Sequence, residues 1–121
     1  MKSNELEYNE ESGSISFEIE GNAYHIKVND VADALINKEK GIILITTYTP
    51  EEEKLLGYSL RGELLFSVPP PAHYRFWYLS ASDLRVACIG KDEFAEKSGR
   101  SGWWFKLDLT NGNMTKDCWA Y

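Results

Sequence analysis

Metal-ligating, nucleophilic and membrane-spanning features are all scarce in this sequence. Its 121 residues include two histidines and two cysteines. Cys88 and Cys118 form no C-x-x-C pair, and neither lies near a histidine at zinc-ligand spacing, so both are expected to be reduced core or sheet residues. No G-x-S-x-G elbow, H-E-x-x-H helix or G-x-x-x-x-G-K-S/T loop occurs, and no catalytic residue, metal or cofactor is expected. The chain has no run of eighteen apolar residues that would cross a bilayer as a helix. Its first fourteen residues, Met1 to Ser14, are polar and acidic where a signal peptide needs a basic start and an apolar stretch. A cytoplasmic protein with a flexible acidic N-terminus over 1–14 is the expectation.

Basic charge is also in short supply. Thirteen lysines and arginines face nineteen aspartates and glutamates, a formal net charge of −6. That balance repels phosphates, disfavouring nucleic acid and anionic membranes, and makes a basic protein surface the complementary partner. The hydrophobic share of 43% and aromatic share of 13% are those of a folded globule rich in sheet formers. The length suits one domain spanning 1–121, with enough chain to bury a core without disulfides.

The periodicity is that of consecutive antiparallel hairpins, an all-β fold with at most one short helix. Ile15, Phe17 and Ile19 alternate with polar residues before a Gly21-Asn22 turn. A two-residue loop there sets Ile19 opposite Tyr24, Phe17 opposite Ile26 and Glu18 opposite His25, which gives His25 a cross-strand role rather than a catalytic one. Asp30 to Gly41 reads either as one short helix, with Val31, Ala34 and Leu35 on a face and glycine at its end, or as an irregular connection. Ile42 to Tyr48, apolar on both faces, is the expected central strand. Leu55 to Val68 closes through Arg61-Gly62-Glu63, aligning Tyr58 with Phe66. Pro69-Pro70-Pro71 then ends the strand, where the chain is expected to cross between sheets. Tyr74–Leu79 and Leu84–Gly90 form another hairpin. Residues 91–102, containing Gly99-Arg100-Ser101-Gly102, read as the longest exposed loop. A last hairpin sets Leu109 opposite Met114 and Trp104 opposite Trp119.

Two portions share an order of parts. Gly41 to Val68 and Leu84 to Thr115 each run apolar strand, charged loop, then strand, glycine turn and strand. The segments "LLGYSLRGELLFSV" and "WWFKLDLTNGNMT" resemble the inner hairpins of propeller blades, which implies blade-like sheets packed face to face or a two-sheet sandwich.

Small size, acidity, the lack of a catalytic motif and a loop-decorated β scaffold together resemble the immunity proteins of contact-dependent growth inhibition systems. No residue motif defines that group, so no functional residue is carried over from it. The resemblance implies a non-enzymatic inhibitor that covers the basic active site of a toxin, a nuclease in particular, with acidic loops. The loop carboxylates available are Glu51, Glu52 and Glu53 in one segment and Asp92, Glu93 and Glu96 in another, with Trp77 and Trp103 as aromatic anchors. The alternative is a non-catalytic blade-like scaffold or interaction module that associates with itself. An acidic patch at loop tips favours the first reading, and an apolar self-complementary face the second.

Overall fold

The structure, a computed structural model, describes residues 6–80, 83–90 and 102–119. The described chain is built of antiparallel strands and contains no helix. A first sheet holds β1 (Glu7–Asn9), β2 (Ser14–Ile19) and β3 (Asn22–Lys27). A second is a four-stranded meander of β4 (Val31–Asn37), β5 (Ile42–Tyr48), β6 (Glu53–Ser59) and β7 (Leu64–Val68). The third repeats that plan with β8 (Tyr74–Leu79), β9 (Arg85–Gly90), β10 (Gly102–Leu107) and β11 (Met114–Trp119).

These sheets stack in three layers around two cores, because the middle sheet is apolar on both faces. Ile43 and Ile45 point to one side, where they meet Ile15, Phe17 and Ile26 of the first sheet. Ile42 and Leu44 point to the other and meet Val86, Cys88 and Phe105 of the third. All four β5 side chains are at most 2% exposed, and burying each contributes about 1.5–3 kcal/mol. The sequence expectations of an all-β fold and of a central strand from Ile42 to Tyr48 therefore hold, and of the two architectures expected, sheets packed face to face are found, as three layers rather than a two-sheet sandwich. The two similarly organised portions fall on equivalent strands, β5–β7 and β9–β11.

Glycine turns tie each layer to the one before it. Gly62, at φ +83° in the β6–β7 turn, lies against Ile26 and the His25 carbonyl of β3. Gly112, at φ +81° in the β10–β11 turn, lies against Phe66 and Val68 of β7. A Cβ at Gly112 would come within 2.6 Å of the Phe66 ring. Phe66 also covers Gly57, where a Cβ would sit 2.3 Å from the ring. The ring thus fills space that only glycine leaves open beneath it.

Several local expectations are corrected. Asp30–Gly41 is neither a helix nor an irregular connection, since Val31–Asn37 is the edge strand β4 paired with β5. Leu35 enters one core while Ala34 and Ile36 enter the other. A strand buried on both faces produces the contiguous apolar run that also suits a helix. The N-terminal segment is ordered from Leu6 onward: Leu6 is 4% exposed, and β1 pairs with β2 through Tyr8 and Ile15. Residues 1–5 of the segment expected to be flexible lie outside the described residues.

Three registers also shift. The β2–β3 turn is centred on Glu20 and Gly21, both with positive φ as a type I′ turn requires. Phe17 consequently pairs with Tyr24 and Ser16 with His25. The β6–β7 loop is Leu60-Arg61-Gly62, and a bulge sets Gly57 opposite Phe66 and Tyr58 opposite Leu64. A second bulge, beside Phe105, pairs Trp103 with Trp119 and Leu107 with Met114. After Pro69-Pro70-Pro71 the chain does cross between sheets, from β7 to β8. The 91–102 loop, apart from Gly102 at the start of β10, lies outside the described residues.

Candidate functional site

The acidic segment between β5 and β6 is a tight turn built by Thr49. Its N–H donates to the Glu52 carbonyl at 2.8 Å, and the Glu52 N–H returns bonds to the Thr49 carbonyl and Oγ1. This closure turns Glu51 and Glu52 outward, and both are exposed. Glu52 forms an ion pair with Lys54 at 3.4 Å, in a solvent-facing arrangement of little energetic weight. Next to the turn, Tyr48 is 54% exposed. Pro69 and Pro70 follow β7 on the neighbouring crossing. Together Tyr48, Pro50, Glu51, Glu52, Pro69 and Arg75 are among the residues lining an open cleft of about 430 Å³. An exposed ring, rigid prolines and two exposed carboxylates suit a long cationic side chain, its stem on the ring and prolines and its head at the carboxylates.

Glu53 has a different task. Its Oε1 accepts the backbone N–H of Phe76 at 2.9 Å, joining the middle sheet to β8. Asp33 makes the equivalent tie further along, accepting the Leu79 N–H at 3.1 Å on one oxygen and the Ala34 N–H at 2.9 Å on the other. Two carboxylates thereby satisfy amides of an edge strand. The same Glu53 charge adds to burial in pushing the Cys88 thiol up to about 12, burial being the larger cause.

The aromatic anchors do not join this cleft. Trp77 is 43% exposed on the outward side of the third sheet, as the extra residue of a bulge between Phe76 and Tyr78. Its ring meets Tyr78 edge-on at 4.8 Å, and Tyr78 meets Trp104 at 5.2 Å. Trp103 is half-buried, packs against the core between the second and third sheets, and carries Lys116 over its ring at 4.0 Å. Alternation along β10 sends Trp103, Phe105 and Leu107 inward and Trp104 outward. Asp92, Glu93 and Glu96 lie outside the described residues. Of the eight sequence-selected residues, the structure thus gathers Glu51, Glu52 and Glu53 around the cleft and separates Trp77 and Trp103 from it.

Tyr48 and the proline pair were missed as site residues by sequence reasoning, although Tyr48 ends an apolar strand immediately before Thr49-Pro50, a usable sign of a ring at a sheet end. Arg85 was also missed. It stacks over Trp104 at 4.9 Å and bonds Asp83 at 2.7 Å and Asp117 at 2.8 Å. The bond to Asp117, followed by that to Asp83, raises its guanidinium above the ordinary value. Hydrogen bonding from Ser80, then Arg85, holds Asp83 below the usual carboxylate range. Among the described residues no group of three or more potential ligands is placed to hold a metal ion.

No helix among the described residues is long and apolar enough to cross a membrane. Comparison of the chain with protein families, curated proteins and solved structures finds no match.

Proposed function

We propose that this chain is a binding protein that neutralises a basic partner, an immunity-type inhibitor of a toxin nuclease. The contact is made by the acidic end of the middle sheet. The observation that carries this reading is the cleft beside β5 and β6, where exposed Glu51 and Glu52 stand next to the exposed ring of Tyr48. Active sites that hold phosphates are positively charged, so surface carboxylates on a molecule of net charge −6 both steer the encounter and occupy the phosphate positions. Glu53, bound to the Phe76 amide, holds the turn rather than the partner.

The test is growth rescue in cells producing a toxic domain encoded beside this gene, with complex formation followed in parallel. Rescue and a stoichiometric complex are expected for the natural sequence, and loss of both for the Glu51→Lys, Glu52→Lys variant with its fold intact. A complex that survives the double reversal refutes the assignment of the cleft. Absence of both rescue and complex refutes the inhibitor reading itself.

A further inference from the structure

The two outermost faces of the stack differ in chemistry. On the first sheet the outward residues are Ser14, Ser16, Glu18, His25 and Lys27, by a register in which Ser16 bonds the His25 ring at 2.9 Å. That surface suits water. On the third sheet, Tyr78, Ala87, Trp104 and Cys118 form one cross-strand row, and Arg85 and Lys106 belong to the next. Ala87 is fully buried beneath its aromatic neighbours.

Two bulges enrich the same face. One adds the Trp77 ring. The other, in β11, leaves Asp117 unpaired in the ladder and free to reach Arg85. Bulges re-aim side chains in this way, and they also keep an edge from pairing with a foreign strand. The result is a face with three large rings, an arginine fixed by two aspartates and an exposed Lys106. Tryptophan, tyrosine and arginine are the residues that dominate protein interfaces.

Charge decides what covers it. Among the described residues, Arg85 and Lys106 stand against Asp83 and Asp117, with Arg75 at the margin, which sums to no net negative charge on a chain of −6. A basic partner gains nothing there that the acidic cleft does not offer better. Two copies of an acidic chain repel least where a face is not net negative, and a surface holding both signs can meet itself about a two-fold axis, cation to carboxylate. The polar outer face of the first sheet offers no matching apolar surface for a head-to-tail stack.

We propose that the outer face of β8–β11 is a two-fold interface between copies of this chain, anchored by Trp77, Tyr78 and Trp104 and registered by Lys106 with the aspartates that hold Arg85. The homodimer does not rest on the inhibitor reading, since the carboxylates of the acidic cleft lie outside this face and Arg75 alone is shared, lining the cleft and standing at the margin of the face.

Sedimentation equilibrium from micromolar to millimolar protein is the test, on the full chain and on Trp77→Ser and Lys106→Glu, both exposed positions, with folding checked by circular dichroism. A dimer mass is expected for the natural sequence, and dissociation weakened about tenfold or more by each substitution, the scale of one interface hot spot. Alkylation of exposed Cys118 provides a second readout, since Cys88 is fully buried and stays silent. Its rate falls as the natural protein dimerises and stays constant for Lys106→Glu over the same concentrations. A monomer throughout the range overturns the proposal, as does a dimer that both variants leave unchanged. Growth rescue by the Lys106→Glu monomer separates failure of this interface from failure of the inhibitor reading.

Discussion

Gly57→Ala adds one methyl at a place where the structure leaves no room for it. The ideal Cβ position is 2.3 Å from Cζ of Phe66, 2.4 Å from Cε2 and 2.8 Å from Cε1, so the methyl runs into the ring itself. Gly57 has no positive φ, and alanine adopts its backbone without strain, so the whole cost is steric. Phe66 has little room to withdraw, being 7% exposed and in close contact with the Gly112 turn. Overpacking of this kind costs about 1–3 kcal/mol. With a urea dependence of about 2 kcal/mol per molar, the unfolding midpoint is expected to fall by roughly 0.5–1.5 M. Phe66→Leu shortens the ring to a branched chain and relieves the clash. The double variant is therefore expected to be more stable than the sum of the single effects by about 0.5–3 kcal/mol, the coupling of residues in contact. Urea unfolding of the four proteins measures the cycle. A Gly57→Ala protein as stable as the natural one, or additive effects in the cycle, refutes the argument that Phe66 depends on a glycine floor.

Glu53→Ala leaves the part-buried Phe76 amide without its acceptor and is expected to cost about 1–3 kcal/mol, whereas Glu53→Gln keeps an oxygen there and recovers most of that loss; thermal unfolding of both checks it, and equal destabilisation contradicts the inter-sheet tie. The Cys88 thiol, at about 12 when folded against 9.0 as its ordinary value, stabilises the fold fully below pH 9 and loses that contribution as pH rises towards 12. By linkage the loss is on the order of 1 kcal/mol by about pH 10. Cys88→Ala is expected to flatten this part of the stability profile, and an unchanged slope between pH 8 and about 10.5 refutes it. Association with a basic partner is expected to slow as salt rises, with a shallower dependence after Glu51→Gln and Glu52→Gln, read by stopped-flow mixing; identical salt slopes place the steering charge elsewhere.

Hairpins, the all-β class, the central strand Ile42–Tyr48 and the crossing at Pro69-Pro70-Pro71 were legible because each rests on a local rule: period-two alternation, β-branched runs, glycine at turns and the missing amide of proline. Registers were not legible. Moving the first turn from Gly21-Asn22 to Glu20-Gly21 changes every cross-strand partner, and only the backbone angles of the folded turn distinguish the two. Bulges at Leu65, Trp77 and Asp117 add further shifts that no alternation pattern records.

The acidity of the Glu51–Glu53 segment is a property of the sequence, as is the lack of any familiar catalytic or zinc motif. Which carboxylates face solvent and which is structural was decided in three dimensions, by β8 passing within hydrogen-bond reach of Glu53 while Glu51 and Glu52 stay exposed. The same holds for Val31–Asn37, whose apolar run fits a helix until a sheet lies on each side of it. Local chemistry fixes which conformations a segment can take. The layers packed against it, separated from it by tens of residues in the chain, determine which faces are buried and therefore which conformation and which side chains remain for function.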